Sequence, residues 1–218
     1  MADRLRRLVL VRHGETAGQS SIRYYGATDV PLSEEGRAQA HARRLEIPDD
    51  SIDAVWSSTL CRAWESARII APTHPVHLER DFREVHFGRW EGLTREEIEA
   101  LDPEIAARWD ARKPDFAYPE GERVADFRRR IERGCDRLRA SGVESVLVVA
   151  HKGVVRTLLE LVAGHTLEPG DPELGGVVYA WRDLEGRWTT GRPGSDPTCS
   201  VPPMGIPLDE ASAPSEAR

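Results

Sequence analysis

Two uninterrupted apolar runs, each ending in a histidine, constrain this chain more than any other feature. The first is Leu8-Val9-Leu10-Val11, followed by Arg12-His13-Gly14-Glu15-Thr16; the second is Val146-Leu147-Val148-Val149-Ala150, followed by His151-Lys152-Gly153. A strand with one face in water alternates polar and apolar residues. Runs without alternation suit strands buried on both faces, as in parallel sheets. In open α/β sheets, ligands bind just beyond the carboxyl ends of such strands. Each run therefore delivers a titratable, nucleophilic ring to a place where chemistry is common, and Arg12 adds a permanent cation. Gly14 lets backbone approach a ligand where a Cβ would obstruct.

The intervening sequence supplies helices and further strands. Residues 31–47 read as a helix with Ser33 as N-cap, Glu34 and Glu35 in its first turn, and Ala38, Ala42 and Leu45 on its buried face. Ala54-Val55-Trp56 reads as a strand leading into Ser57-Ser58, with a helix from Thr59 to Ile70 and another strand at Val76-His77-Leu78. Residues 82–121 mix Phe, Trp, Gly and Pro with charges, and Thr94 and Glu97 match a capping box. This segment reads as an insertion over the strand ends, a lid. Val124, Phe127, Ile131, Cys135 and Leu138 mark the inner stripe of a longer helix, and a further helix is expected over 152–163. Val177 to Trp181 and Arg187 to Thr189 read as late strands. Residues 1–190 are expected to form a single domain, and the Pro-, Ser- and Gly-rich 191–218 a disordered tail.

Composition excludes several classes of function. A net charge of −7 argues against general affinity for nucleic acid or an anionic membrane surface. The apolar runs are too short to span a bilayer, and no separate secretion signal precedes the first strand, so a cytoplasmic home is expected. Cys61, Cys135 and Cys199 are scattered and odd in number, which supports neither a disulfide framework nor a thiolate metal site. His74 and His77 lie in a turn or strand without partner ligands, so no metal is expected there. Arg128, Arg129, Arg130, Arg133, Arg137 and Arg139 are interleaved with Glu122, Asp126, Glu132 and Asp136, which reads as a solvated, ion-paired helix. Nothing argues for a large assembly: a monomer or small homo-oligomer is expected.

In a parallel sheet both histidine-bearing strand ends can share one edge, and Arg62 opens the helix after the Ser57-Ser58 strand end. Two guanidiniums and two imidazoles gathered at one point describe a site for phosphate or another oxyanion, because arginine supplies forked donors that match phosphate geometry. Over roughly residues 5 to 190 the chain resembles the histidine phosphatases, the superfamily that includes cofactor-dependent phosphoglycerate mutases. The resemblance rests on Arg12 to Thr16, on Ser57-Ser58-Thr59-Leu60-Cys61-Arg62-Ala63, on Glu84 ahead of Gly88-Arg89-Trp90-Glu91-Gly92, and on His151 after its strand. Gly26, Asp29, Pro31-Leu32 and Gly36 also fall where family members have such residues.

The resemblance implies a three-layer α/β/α sandwich with a mostly parallel central sheet, and a metal-independent phosphomonoesterase that needs no cofactor. His13 would attack phosphorus and form a phosphohistidine, which splits hydrolysis into two steps. Arg12, Arg62 and His151 would hold the phosphoryl oxygens, and Glu84 would serve as acid and then base. Thr16 offers a hydroxyl to the phosphate pocket, and Gln19 an amide where many relatives have Asn. Gly26 and Tyr25 are taken as substrate-binding. Lys152, in place of the first glycine of the family's His-Gly-Gly, either points to solvent, the preferred reading, or extends toward an anionic substrate. Tyr24, Trp90, Trp109, Phe116 and Tyr118 are either packing or a wall for an organic substrate. The compact 82–121 segment looks more like small phosphatases acting on a small phosphorylated metabolite, such as α-ribazole phosphatase, than like the mutases. Mutase-type phosphoryl transfer and a non-catalytic phosphate-binding role are the alternatives.

Overall fold

The computed structural model describes residues 3–47, 51–110 and 115–191. Both apolar runs are strands, β1 (Arg7–Arg12) and β4 (Ser145–Ala150). They lie side by side in parallel, with Arg7 opposite Ser145 and Arg12 opposite Ala150. Parallel to β4 on its other side runs β2 (Ala54–Ser58), followed by β3 (Val76–Glu79) at the sheet edge. Antiparallel to β1 comes β5 (Val177–Arg182), which pairs with β6 (Trp188–Gly191) to close the order β3-β2-β4-β1-β5-β6. The sheet is mostly parallel with an antiparallel hairpin at one side.

Successive side chains of each central strand feed opposite cores, which is why the runs need no polar alternation. Val9, Val11, Val55, Leu147 and Val149 pack with α1 (Glu34–Glu46) and α2 (Cys61–Ile70). Leu8, Leu10, Trp56, Val146 and Val148 pack with α5 (Val124–Ala140) and α6 (Lys152–Ala163). Helices on both faces of one sheet make the expected three layers of an α/β/α sandwich.

Helix α1 forms where expected, and Ser33 caps it by accepting from the Gly36 N–H at 3.1 Å. Its buried face is not the one expected. Ala38 and Ala42 are exposed and Leu45 is 81% exposed, whereas Gly36, Ala40 and the terminal Ile47 are buried. The cause is close approach: a Cβ on Gly36 would meet the Glu15 carbonyl oxygen at 2.0 Å, and one on Gly14 would meet that of Gly36 at 2.4 Å. Contact between α1 and the loop after β1 admits only small residues.

Residues 82–121 do lie between regular α/β stretches, as two short helices, α3 (Arg95–Leu101) and α4 (Pro103–Asp110), and 3-10 turns at Arg80–Phe82 and Gly88–Trp90. The Thr94–Glu97 capping box is present. Residues 111–114 of the expected lid, and all of the expected tail except Gly191, lie outside the described residues. Among the described residues no helix is long and apolar enough to cross a membrane.

Candidate active site

Strand register builds the site. His13 and His151 each follow the last paired residue of neighbouring parallel strands, and the His13 N–H donates to the Ala150 carbonyl at 2.9 Å. Their rings stand 5.1 Å apart, edge to face, and both are buried, at 4% and 1% exposure. His13 Nδ1 lies 2.7 Å from its neighbour's carbonyl, Gly14 O. A carbonyl only accepts, so Nδ1 carries the proton and Nε2 keeps its lone pair. Burial, then Arg62 and Arg12, hold the His13 pKa well below its ordinary value. The imidazole is neutral at physiological pH, as a nucleophile must be.

His151 occupies the N-cap position of α6, and its Nε2 lies 2.9 Å from Ser58 Oγ at the end of β2. That hydroxyl already accepts from the Leu60 N–H at 3.2 Å. With one proton and a second acceptor site to offer, it serves Nε2 as donor to the neutral ring or acceptor from the imidazolium, and Nδ1 has no partner among the described residues. Burial first, then Arg62, His13 and Arg12, lower the pKa of His151 well below the usual range.

Arg62 is 0% exposed and gripped by carbonyls, donating to Gly26 O at 2.7 Å, Thr28 O at 2.8 Å and Tyr25 O at 3.2 Å. The loop bearing those carbonyls is itself fixed by Glu91, which accepts from the N–H groups of Gly26, Ala27, Thr28 and Phe87. Arg12 donates to Pro172 O at 3.0 Å. Burial lowers the pKa of both guanidiniums, and Glu84 is the largest opposing influence on each. Glu84 is 8% exposed; its two carboxylate oxygens accept from Val85 N and Gly153 N, each at 3.0 Å. At the site, three buried nitrogens, Arg12 Nε, Arg62 Nε and His151 Nδ1, have no hydrogen-bond partner among the described residues. Buried donors are ordinarily satisfied, so a cluster of such groups around one neutral imidazole fits an oxyanion site.

Arg12, His13 and Glu84 open into a cavity of about 730 Å³ whose wall includes Tyr24, Tyr25, Phe87, Trp109, Tyr118 and Phe127. The aromatic residues thus divide: Trp90 and Phe116 are core, while Tyr24, Trp109 and Tyr118 form wall, with Trp109 Nε1 donating to the Tyr118 hydroxyl at 3.0 Å.

The other expected binding residues are placed differently. Thr16 is buried with its hydroxyl 2.6 Å from that of Ser20, and Gln19 is exposed and absent from the cavity wall. Gly26 contributes its carbonyl to Arg62, and a Cβ there would meet Val85 O at 1.7 Å. Lys152 does not point away: it lines the cavity and donates to Gly170 O at 2.6 Å. Sequence reasoning missed Ser58 and Glu91 as supports, although a serine closing a buried strand and a carboxylate between Trp90 and Gly92 were visible signals. The arginine-rich helix is ion-paired as expected, with Arg130 to Glu122 at 2.8 Å and Arg128 to Glu160 at 2.9 Å.

The sequence profile of the histidine phosphatase superfamily (branch 1) matches residues 8–172. The chain belongs to this superfamily. Among histidine phosphatases it is 34% identical over 156 residues to adenosylcobalamin/alpha-ribazole phosphatase of Salmonella typhimurium, covering 70% of this chain and 77% of that one. It is 32% identical over 206 residues to glucosyl-3-phosphoglycerate phosphatase of Mycolicibacterium vanbaalenii, covering 88% and 90%. The crystal structure of the alpha-ribazole phosphatase from Shigella flexneri matches with a TM-score of 0.72 at 28% identity, over 87% of this chain and 96% of that one. This histidine phosphatase is therefore a phosphatase by kinship.

Proposed function

We propose that the protein hydrolyses a small organic phosphomonoester through a phosphohistidine on His13, without a metal. The observation that carries this reading is the His13 ring, proton fixed on Nδ1 by Gly14 O, with buried Arg62, half-buried Arg12 and His151 around it. Nε2 attacks phosphorus, the bond to the leaving oxygen breaks, and Glu84 supplies that oxygen with a proton. Water then attacks the phosphohistidine, Glu84 takes its proton, and inorganic phosphate leaves. Arg12, Arg62 and His151 match the charge on the transferring group at both steps. A bound dianion favours a protonated His151.

The cavity wall supports a leaving alcohol that carries a ring, packed on Tyr24, Trp109 and Tyr118. Cations at the rim are engaged by the protein: Arg23 with Glu97 and Arg128 with Glu160. Among the described residues the other cations of the wall, Lys152 and Arg156, are engaged by backbone carbonyls, which favours a substrate with one anionic group and so hydrolysis over mutase chemistry.

The test is phosphate release from a phosphomonoester panel with excess chelator, covering sugar phosphates, nucleotides, α-ribazole phosphate and 3-phosphoglycerate. Ring-bearing esters are expected to be cleaved and His13→Ala to abolish turnover while folding normally. Substantial activity in His13→Ala, or a strict metal requirement, would sink the reading. Glu84→Gln should slow poor leaving groups far more than an activated aryl phosphate.

A further inference from the structure

We propose that Arg156, with Lys152 beside it, is a positioning residue for Arg12, acting through the loop 167–172. The proposal rests on the reading that Arg12 holds the transferring phosphoryl group. The Arg12 guanidinium has one hydrogen-bond partner among the described residues, the Pro172 carbonyl at 3.0 Å. Glu84 and Glu15 attract it and Arg62 repels it, so no single neighbouring charge fixes its place. A long side chain with one hydrogen-bond acceptor keeps one conformation only if that acceptor is fixed.

Loop 167–172 is irregular, so its carbonyls need partners from elsewhere. Helix α6 provides them. Arg156 donates to Glu168 O at 2.6 Å, Asp171 O at 2.8 Å and Leu167 O at 2.9 Å, and Lys152 donates to Gly170 O at 2.6 Å. Four carbonyls within five residues are thus tied to two cations one helical turn apart, on the same face of α6. A planar guanidinium spreads five donors over a rigid fork and so reaches separated carbonyls, whereas the three donors of an ammonium radiate from one atom. The loop's next residue, Pro172, presents its carbonyl to Arg12. The same helix bears His151 at its N-cap and offers Gly153 N to Glu84. One rigid element therefore sets three groups around His13: His151 directly, Glu84 through Gly153, and Arg12 through the clamped loop.

A double-mutant cycle tests this, with kcat, KM, inhibition by orthovanadate and thermal melting measured for R156M, R156K, R12K and R12K/R156M. R156M is expected to lower kcat/KM and weaken vanadate inhibition on the order of 10- to 100-fold, the cost of a small misplacement of a binding group. R156K should recover part of the loss. In the R12K background R156M should cost far less, because the group it positions has already been altered. Equal costs in both backgrounds, or wild-type vanadate inhibition in folded R156M, would overturn the proposal. Should R156M fail to fold, K152M, which removes the Gly170 contact, enters the same cycle with the same expectations. R12K with wild-type kinetics would instead overturn the role of Arg12 itself.

Discussion

Ser58 anchors the ring of His151 through Nε2. Its hydroxyl accepts from Leu60 N and lies 2.9 Å from Nε2, where it donates to the neutral ring or accepts from the imidazolium. In Ser58→Ala the ring loses that hydrogen bond and with it a fixed orientation toward phosphate oxygens. One hydrogen bond of this kind is worth about 1 to 1.5 kcal/mol, so kcat/KM should fall on the order of tenfold while the protein stays folded. Full activity in Ser58→Ala would show that His151 keeps its orientation by other means. The sequence exposed the residues that end buried strands, since Arg12, His13 and His151 interrupt runs that are otherwise apolar. It did not expose supports such as Ser58, because that contact joins positions 93 residues apart and follows from strand order alone. For the same reason Gly26 read as a ligand contact, when its carbonyl is a rest for Arg62.

At the scale of elements, helices and strands were legible wherever one period dominated. The central strands carry continuous Val and Leu runs, and α5 buries Phe127, Ile131, Cys135 and Leu138 at helical spacing. Helix α1 was located but rotated in the reading, because tight packing selects against the large apolar residues on which such readings depend. Its contact face, Gly36 and Ala40, is defined by what cannot fit. This yields a contrast between two substitutions on one helix. Leu45→Glu, at an exposed site, should leave the denaturation midpoint nearly unchanged, within about 0.5 kcal/mol. Ala40→Leu, against Val9 and Val11, should destabilise by about 1 to 3 kcal/mol through overpacking. Urea unfolding of the two variants decides it: a larger loss from Leu45→Glu would mean that the outer face of α1 is covered in solution.

For the molecule as a whole, the site is a source of pH-dependent instability. His13 and His151 are buried and held neutral, by burial first and then chiefly by Arg62 and, for His151, His13 and Arg12. In the unfolded chain both imidazoles take up a proton near their ordinary value of about 6.5. The folded state resists that uptake, so below this pH the unfolded state binds more protons. Their contribution is therefore complete above about pH 6.5 and is lost as pH falls toward the depressed folded values. The limiting slope is about 1.4 kcal/mol per pH unit for each imidazole. Urea unfolding at intervals from pH 7.5 to 5.5 should show this decline above the range where carboxylates titrate. His151→Asn should roughly halve the slope, since one of the two buried rings is gone. An unchanged slope in that variant would place the acid sensitivity elsewhere. Phosphate should reverse the trend: a bound dianion stabilises the imidazolium of His151, so its protection against urea should grow as pH falls from 7.5 to 6.5. Protection that is flat or weaker at pH 6.5 would mean that the ligand is bound without a proton on His151.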